Sequence, residues 1–69
     1  MTRAEYLHET LEFYKDASER TNKKLLAINL DQYEGQALIF IQYDRKRTIQ
    51  EIEYYNNRIN ELKTEIENE

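Results

Sequence analysis

The sequence predicts an all-α fold, an antiparallel helical hairpin with coiled-coil packing that forms a four-helix bundle as a dimer or a higher oligomer. Its 69 residues contain no proline, no valine and a single glycine. Proline and glycine interrupt helices, and β-branched residues favour strands, so this composition favours long helices. Apolar residues follow alternating spacings of three and four in two segments separated by a short break. We therefore treat residues 1–69 as a single helical-hairpin domain.

The first helix is predicted over about residues 2–27. Thr2 and Glu5 have the spacing of a capping box, in which the Thr2 side chain accepts from the Glu5 amide. The apolar positions that follow have the a/d spacing of a coiled coil, although two of them are polar. These positions are Ala4, Leu7, Leu11, Tyr14, Ser18, Thr21, Leu25 and Ile28.

A turn at about 28–31 separates this helix from a second one, predicted over about residues 32–67. Asp31 and Glu34 have the spacing of a second cap. Gly35 is expected to permit a close approach of the first helix near Leu25 and Leu26. The second a/d series, which favours a left-handed supercoil, comprises Leu38, Ile41, Arg45, Thr48, Ile52, Tyr55, Ile59, Leu62 and Ile66.

The unequal helix lengths lead to a prediction about oligomerisation. With a turn centred near Leu30, Ser18 lies near Gln42 and Leu7 near Ile52, and the first helix ends opposite about Asn57. The apolar side chains beyond that point then have no partner within the chain. Burying each is worth roughly 1.5–3 kcal/mol, so a second chain is expected to cover them.

Two further apolar regions favour association. A core of this size supports only about 3–5 kcal/mol, and without cysteine no disulfide adds to it. Residues 37–41 are apolar on every helical face, and Tyr6 and Phe13 form another stripe. The predicted oligomer or partner interface comprises Tyr6, Phe13, Leu38, Ile39, Phe40, Ile41, Tyr55, Ile59, Leu62 and Ile66. Tyr33, Tyr43 and Tyr54 lie off the seam. They are either binding residues or side chains that pack at the helix boundary and reach water.

Charge allows two interpretations of the basic residues in the centre of the chain. The net charge is −4, and residues 51–69 contain six acidic and two basic groups. This acidic segment is either a solubility tail or a surface that binds a basic partner. Lys24, Arg45, Lys46 and Arg47 are candidates for contact with nucleic acid or another anion. Alternatively, Arg45 lies on the seam near Tyr14, where a polar residue commonly fixes the register.

The layout also resembles the Rop family of plasmid copy-number regulators. The residues that carry the resemblance are Met1-Thr2-Arg3-Ala4-Glu5, the bend Leu30-Asp31-Gln32, and Gln36-Ala37. The resemblance implies a hairpin that dimerises into a four-helix bundle and binds paired RNA loops. The second helix is longer here, and a basic face at the helix ends is not evident.

Catalysis is not expected from this composition. One histidine and no cysteine leave no catalytic triad, and the lone Glu5-x-x-His8 lacks the second motif of a carboxylate-bridged metal site. We expect no cofactor, no metal, no small-molecule substrate and no membrane contact. The leading hypothesis is a cytoplasmic adaptor or inhibitor of another protein, of bacterial or phage origin, that also binds itself. The alternatives are a nucleic-acid-binding regulator and a structural component of a phage assembly.

Overall fold

The protein is a hairpin of two packed α-helices, as the sequence predicts. The computed structural model describes residues 1–68, with α1 at Arg3–Ala27, a 3₁₀ turn at Leu30–Gln32 and α2 at Gly35–Glu67. The two helices run antiparallel along a rod of 52 × 14 × 14 Å. The all-helical hairpin is thereby confirmed. Of the acidic residues near the end of the chain, Glu69 lies outside the described residues.

The start of α1 follows its predicted capping pattern, whereas the start of α2 does not. The Glu5 amide donates to the Thr2 hydroxyl at 3.2 Å. At the turn, the Asn29 side chain accepts from the Asp31 amide at 3.0 Å and so caps the 3₁₀ turn. Glu34 precedes α2 and makes no side-chain capping bond. The predicted cap by Asp31 and Glu34 is therefore wrong, and α2 begins three residues later than expected.

Gly35 is required for its backbone conformation, not for close packing. Its φ angle is +60°, in the left-handed region that L side chains rarely adopt. A Cβ atom built at this position meets no heavy atom within 4 Å. The expected close approach of α1 at Gly35 is therefore absent, and glycine is needed here because the chain turns sharply into α2.

The register of the two helices differs from the predicted one by ten to fourteen residues of α2. The Ser18 hydroxyl donates to Asn56 Oδ1 at 3.2 Å, so Ser18 lies beside Asn56 and not beside Gln42. Leu7 packs against Leu62 and not against Ile52. Residues of both predicted a/d series still meet, because these positions recur every three or four residues along each helix. The physical reason is the connection, in which the 3₁₀ turn lies against α2 and α2 extends past the end of α1.

This register fills the interface near the chain ends with apolar side chains. Leu7 and Leu11 of α1 pack against Leu62 of α2, which is only 2% exposed. Ile59 and Ile66 are partly buried against the same cluster. The prediction that these three residues of α2 have no partner within the chain is therefore wrong. The unpaired part of α2 is instead its first two turns, beside the 3₁₀ turn.

Small and polar side chains occupy the middle of the interface. Ala17, Ser18 and Thr48 are buried there. The Thr48 hydroxyl donates to the Asp44 backbone carbonyl at 2.7 Å, and the side-chain amide of Asn22 donates to the Ser18 backbone carbonyl at 2.9 Å. These hydroxyl and amide groups are satisfied by hydrogen bonds, as buried polar groups must be to avoid a large desolvation cost. The middle layer consequently adds little apolar burial.

Candidate protein-binding surface

Five exposed aromatic side chains define one long side of the hairpin, which we call the aromatic face. Its members are Tyr6 and Phe13 on α1, and Phe40, Tyr43 and Tyr54 on α2. Tyr6 and Phe13 are one heptad apart, and Phe40 and Tyr54 are two heptads apart, so each pair lies on one side of its helix. Each of the five keeps more than half of its surface in contact with solvent.

Ring contacts place the α1 and α2 parts of the aromatic face on the same side of the molecule. The Phe13 ring meets the Tyr14 ring edge-on, with centroids 5.4 Å apart. The Tyr14 ring in turn meets the Tyr54 ring at 6.3 Å and the Tyr55 ring at 6.1 Å. Phe13 and Tyr54 therefore flank a shared half-buried ring, and the exposed aromatic stripes of the two helices are neighbours.

Arg58, and not Arg45, is the cation that lies beside Tyr14. The Arg58 guanidinium lies 5.5 Å from the Tyr14 ring centroid and forms an ion pair with Glu61. Hydrogen bonding from Arg58 lowers the pKa of Tyr14, and hydrogen bonding with Tyr14 raises the pKa of Tyr54. The predicted pairing of Arg45 with Tyr14 is therefore wrong, because the observed register places Arg58 beside Tyr14.

Exposed apolar side chains also lie where α2 extends past α1. Phe40 is 69% exposed, and Ile39 and Tyr43 adjoin it. Lys46 and Arg47 join Phe40 and Tyr43 around a shallow cavity of about 510 Å³. Aromatic rings bordered by cations are a common composition of binding hot spots.

The four predicted basic contact residues do not form one patch. Lys24 lies 3.9 Å from the Asp44 carboxylate across the helices. Arg45 and Arg47 are two positions apart on α2, a rotation of about 200°, so they lie on opposite sides of the helix. Lys46 and Arg47 line the cavity with Phe40 and Tyr43, whereas Arg45 does not, and Asp44, the partner of Lys24, lines it too.

The predicted interface residues divide into three groups by exposure. Tyr6, Phe13, Ile39 and Phe40 are exposed and available to a partner. Leu62 is buried within the chain, so it has no free surface to contribute. Half-buried positions make up the rest, namely Leu38, Ile41, Tyr55, Ile59 and Ile66. Leu26, which the interface prediction omitted, is the most exposed large apolar residue described, at 85%.

Charge is distributed unevenly along the rod. We call residues 20–48 the turn half, and residues 1–19 with 49–68 the terminal half. The turn half contains six basic and three acidic residues, and the terminal half contains four basic and ten acidic residues. Because the helices are antiparallel, these two groups lie at opposite ends of the molecule. The turn half is therefore net basic and the terminal half strongly acidic.

The described residues show no feature of a metal site or a membrane span. No three histidine, cysteine, aspartate or glutamate side chains within residues 1–68 are grouped to hold a metal ion, and Glu5 and His8 are both exposed. Neither helix, over the same range, has a stretch long and apolar enough to cross a bilayer. No protein-family model matches the chain, and comparisons with curated proteins and with solved structures gave no match.

Proposed function

We propose that this chain is a non-enzymatic protein-interaction module whose aromatic face binds a second copy, forming a four-helix bundle. The observation that supports this proposal is the exposure of five aromatic side chains along one side of both helices. Contiguous exposed apolar surface on a small protein commonly marks a site of association. In this proposal, the dimer is the form that acts as an adaptor or inhibitor of another protein.

The dimensions of the aromatic face suit a dimer. One side of the rod measures 52 × 14 Å, or roughly 700 Å². Stable protein interfaces bury about 600–1,000 Å² on each partner, and a face of this size falls within that range. The seven-residue spacing of its aromatic residues matches the repeat with which helices pack in bundles. A second hairpin therefore fits this side by shape and by area.

Sedimentation equilibrium across a range of protein concentrations tests this proposal. We expect a monomer–dimer equilibrium that Phe40→Ala weakens tenfold or more, a loss of about 1.4 kcal/mol. Leu26→Ala is the matched control, because Leu26 lies about 140° around α1 from Phe13 and so outside the aromatic face. A chain that stays monomeric from micromolar to millimolar concentration contradicts the proposal, as does equal weakening by both substitutions.

A second candidate function is the binding of single-stranded nucleic acid at the turn half. The observation that favours it is the position of Lys46 and Arg47 beside the rings of Phe40 and Tyr43. Single strands bind where cations meet the phosphates and aromatic rings stack on bases. Fluorescence anisotropy with a labelled oligonucleotide tests this function. Binding that falls steeply with salt and is lost in Lys46→Ala with Arg47→Ala supports it, and absence of binding at low salt rules it out.

A further inference from the structure

We infer that two copies of this chain pair with opposite polarity, the turn half of each lying on the terminal half of the other. This inference rests on the proposed self-association and adds the orientation of the copies. It follows from the distribution of charge along the rod and from the positions of the aromatic side chains at its two ends.

The charges of the two halves are complementary between copies. The turn half carries six basic and three acidic residues, whereas the terminal half carries four and ten. Antiparallel pairing of the copies brings each basic half onto an acidic half, so the dimer contains this contact twice. Parallel pairing brings the two acidic halves together, with ten carboxylates on each. Juxtaposed like charges oppose binding and so select against the parallel arrangement.

Screening makes the contact between adjacent halves decisive. The rod is 52 Å long, so the centres of its two halves are roughly 26 Å apart. The Debye length is about 8 Å at physiological ionic strength, so charges separated by that distance interact weakly. Charges on halves that touch are separated by less than this Debye length, so they interact strongly. The orientation is therefore decided by which halves meet, not by the net charge of the whole molecule.

The aromatic face is consistent with the same orientation. Phe40 and Tyr43 lie in the turn half, whereas Tyr6, Phe13 and Tyr54 lie in the terminal half. A two-fold axis perpendicular to the rod places the first group of one copy on the second group of the other. Such an interface is self-complementary, because each contact occurs twice. The aromatic contacts are thus compatible with the antiparallel arrangement, and the charges select it.

The salt dependence of self-association distinguishes the two orientations. We expect the dissociation constant to increase roughly threefold or more between about 0.1 M and 0.5 M sodium chloride, because salt screens the attraction between unlike halves. Parallel pairing predicts the reverse, since salt then relieves repulsion between acidic halves. Starting at 0.1 M limits the repulsion between the net charges of the copies, which acts in either orientation.

A charge reversal provides the second measurement. The double substitution Lys46→Glu and Arg47→Glu makes the turn half acidic. Antiparallel pairing should then weaken, because two acidic halves meet. Parallel pairing should not weaken, because the repulsion between its two basic halves is removed. Circular dichroism checks that the variant remains helical. A dissociation constant that stays constant or decreases with salt overturns the orientation. Absence of self-association under all conditions instead overturns the proposed function, so the two failures are distinguishable.

Discussion

The terminal half and the turn half both contain large apolar side chains, but they use them differently. In the terminal half, Leu7, Leu11 and Leu62 form a buried cluster across the two helices. In the turn half, Ile39 and Phe40 remain exposed, because the start of α2 extends past the end of α1. Stability is therefore concentrated near the chain ends, whereas no large apolar side chain described in the turn half is fully buried.

The largest expected effect is the loss of stability when the terminal cluster is truncated. Leu62→Ala should lower the free energy of unfolding by about 2–5 kcal/mol, because it removes a buried side chain and leaves a cavity. Phe40→Ala in the turn half should change it by no more than about 0.5 kcal/mol. Urea unfolding at a concentration where the chain is monomeric measures both values.

A milder variant keeps this comparison measurable if Leu62→Ala does not fold. Ile59→Val should cost about 0.5–1.5 kcal/mol, since Ile59 is partly buried against the same cluster. Equal costs in the two halves would contradict the division of roles between them.

The next effect concerns the entry to α2. Gly35→Ala should destabilise the chain by about 1–2 kcal/mol, because Gly35 has a φ angle of +60°. Gly35→Asn should cost less, since asparagine tolerates this conformation better than alanine. Thermal unfolding followed by circular dichroism measures the three proteins. A Gly35→Ala variant as stable as the parent would show that the turn does not need this conformation.

A smaller effect is expected from the polar middle of the interface. Ser18→Ala removes the hydrogen bond to Asn56 across the helices and should cost about 1 kcal/mol. Thr10→Ala is a matched control, because the Thr10 hydroxyl bonds only to the Tyr6 carbonyl of its own helix and alanine favours helix. Urea unfolding should therefore separate the two variants. Equal stability of both would remove Ser18 as a determinant of the register.

The smallest effect is electrostatic and lies in the terminal half. Hydrogen bonding from Arg58 lowers the pKa of Tyr14, so Arg58→Gln should raise that pKa toward its ordinary value, whereas Lys63→Gln should not. NMR titration of the tyrosine rings measures this shift. A Tyr14 pKa that does not respond to Arg58→Gln would contradict the contact.

The stability consequence has opposite signs for the two coupled tyrosines. A lowered pKa means that folded Tyr14 binds fewer protons than the unfolded chain, so its contribution to stability increases as pH rises toward 10. The raised pKa of Tyr54 makes its contribution decrease as pH rises above 10. The two contributions have opposite signs, so they offset each other in part near pH 10.

The sequence predicted the faces of the helices but not their register. The a/d spacing correctly identified Leu7, Leu11 and Leu62 as seam positions, and the capping-box spacing correctly identified Thr2 as the cap of α1. A heptad repeat is unchanged by a shift of whole heptads, so spacing alone does not fix which part of α2 lies beside Ser18. The register depends on the connection between the helices. The sequence analysis assigned a cap to Asp31 and Glu34 and did not recognise Asn29 as the residue that caps the 3₁₀ turn.

The same ambiguity explains which parts of the candidate surface were predicted. The stripe of Tyr6 and Phe13 and the all-round apolar character of residues 37–41 are independent of register, and both regions contain the exposed side chains. The assignment of Ile59, Leu62 and Ile66 to a partner depended on the register and failed with it. Tyr43 and Tyr54 were recognised as off-seam residues, but their place beside the other rings depends on tertiary contacts.

The most direct test of this account is whether the leucines near the two chain ends touch within one molecule. Methyl-labelled protein diluted into an excess of unlabelled copies restricts the observed NOEs to contacts within the chain. We predict NOEs from the Leu62 methyl groups to those of Leu7 and Leu11. NOEs from Leu7 to Ile52, with none between Leu7 and Leu62, would contradict the register and the buried cluster near the chain ends.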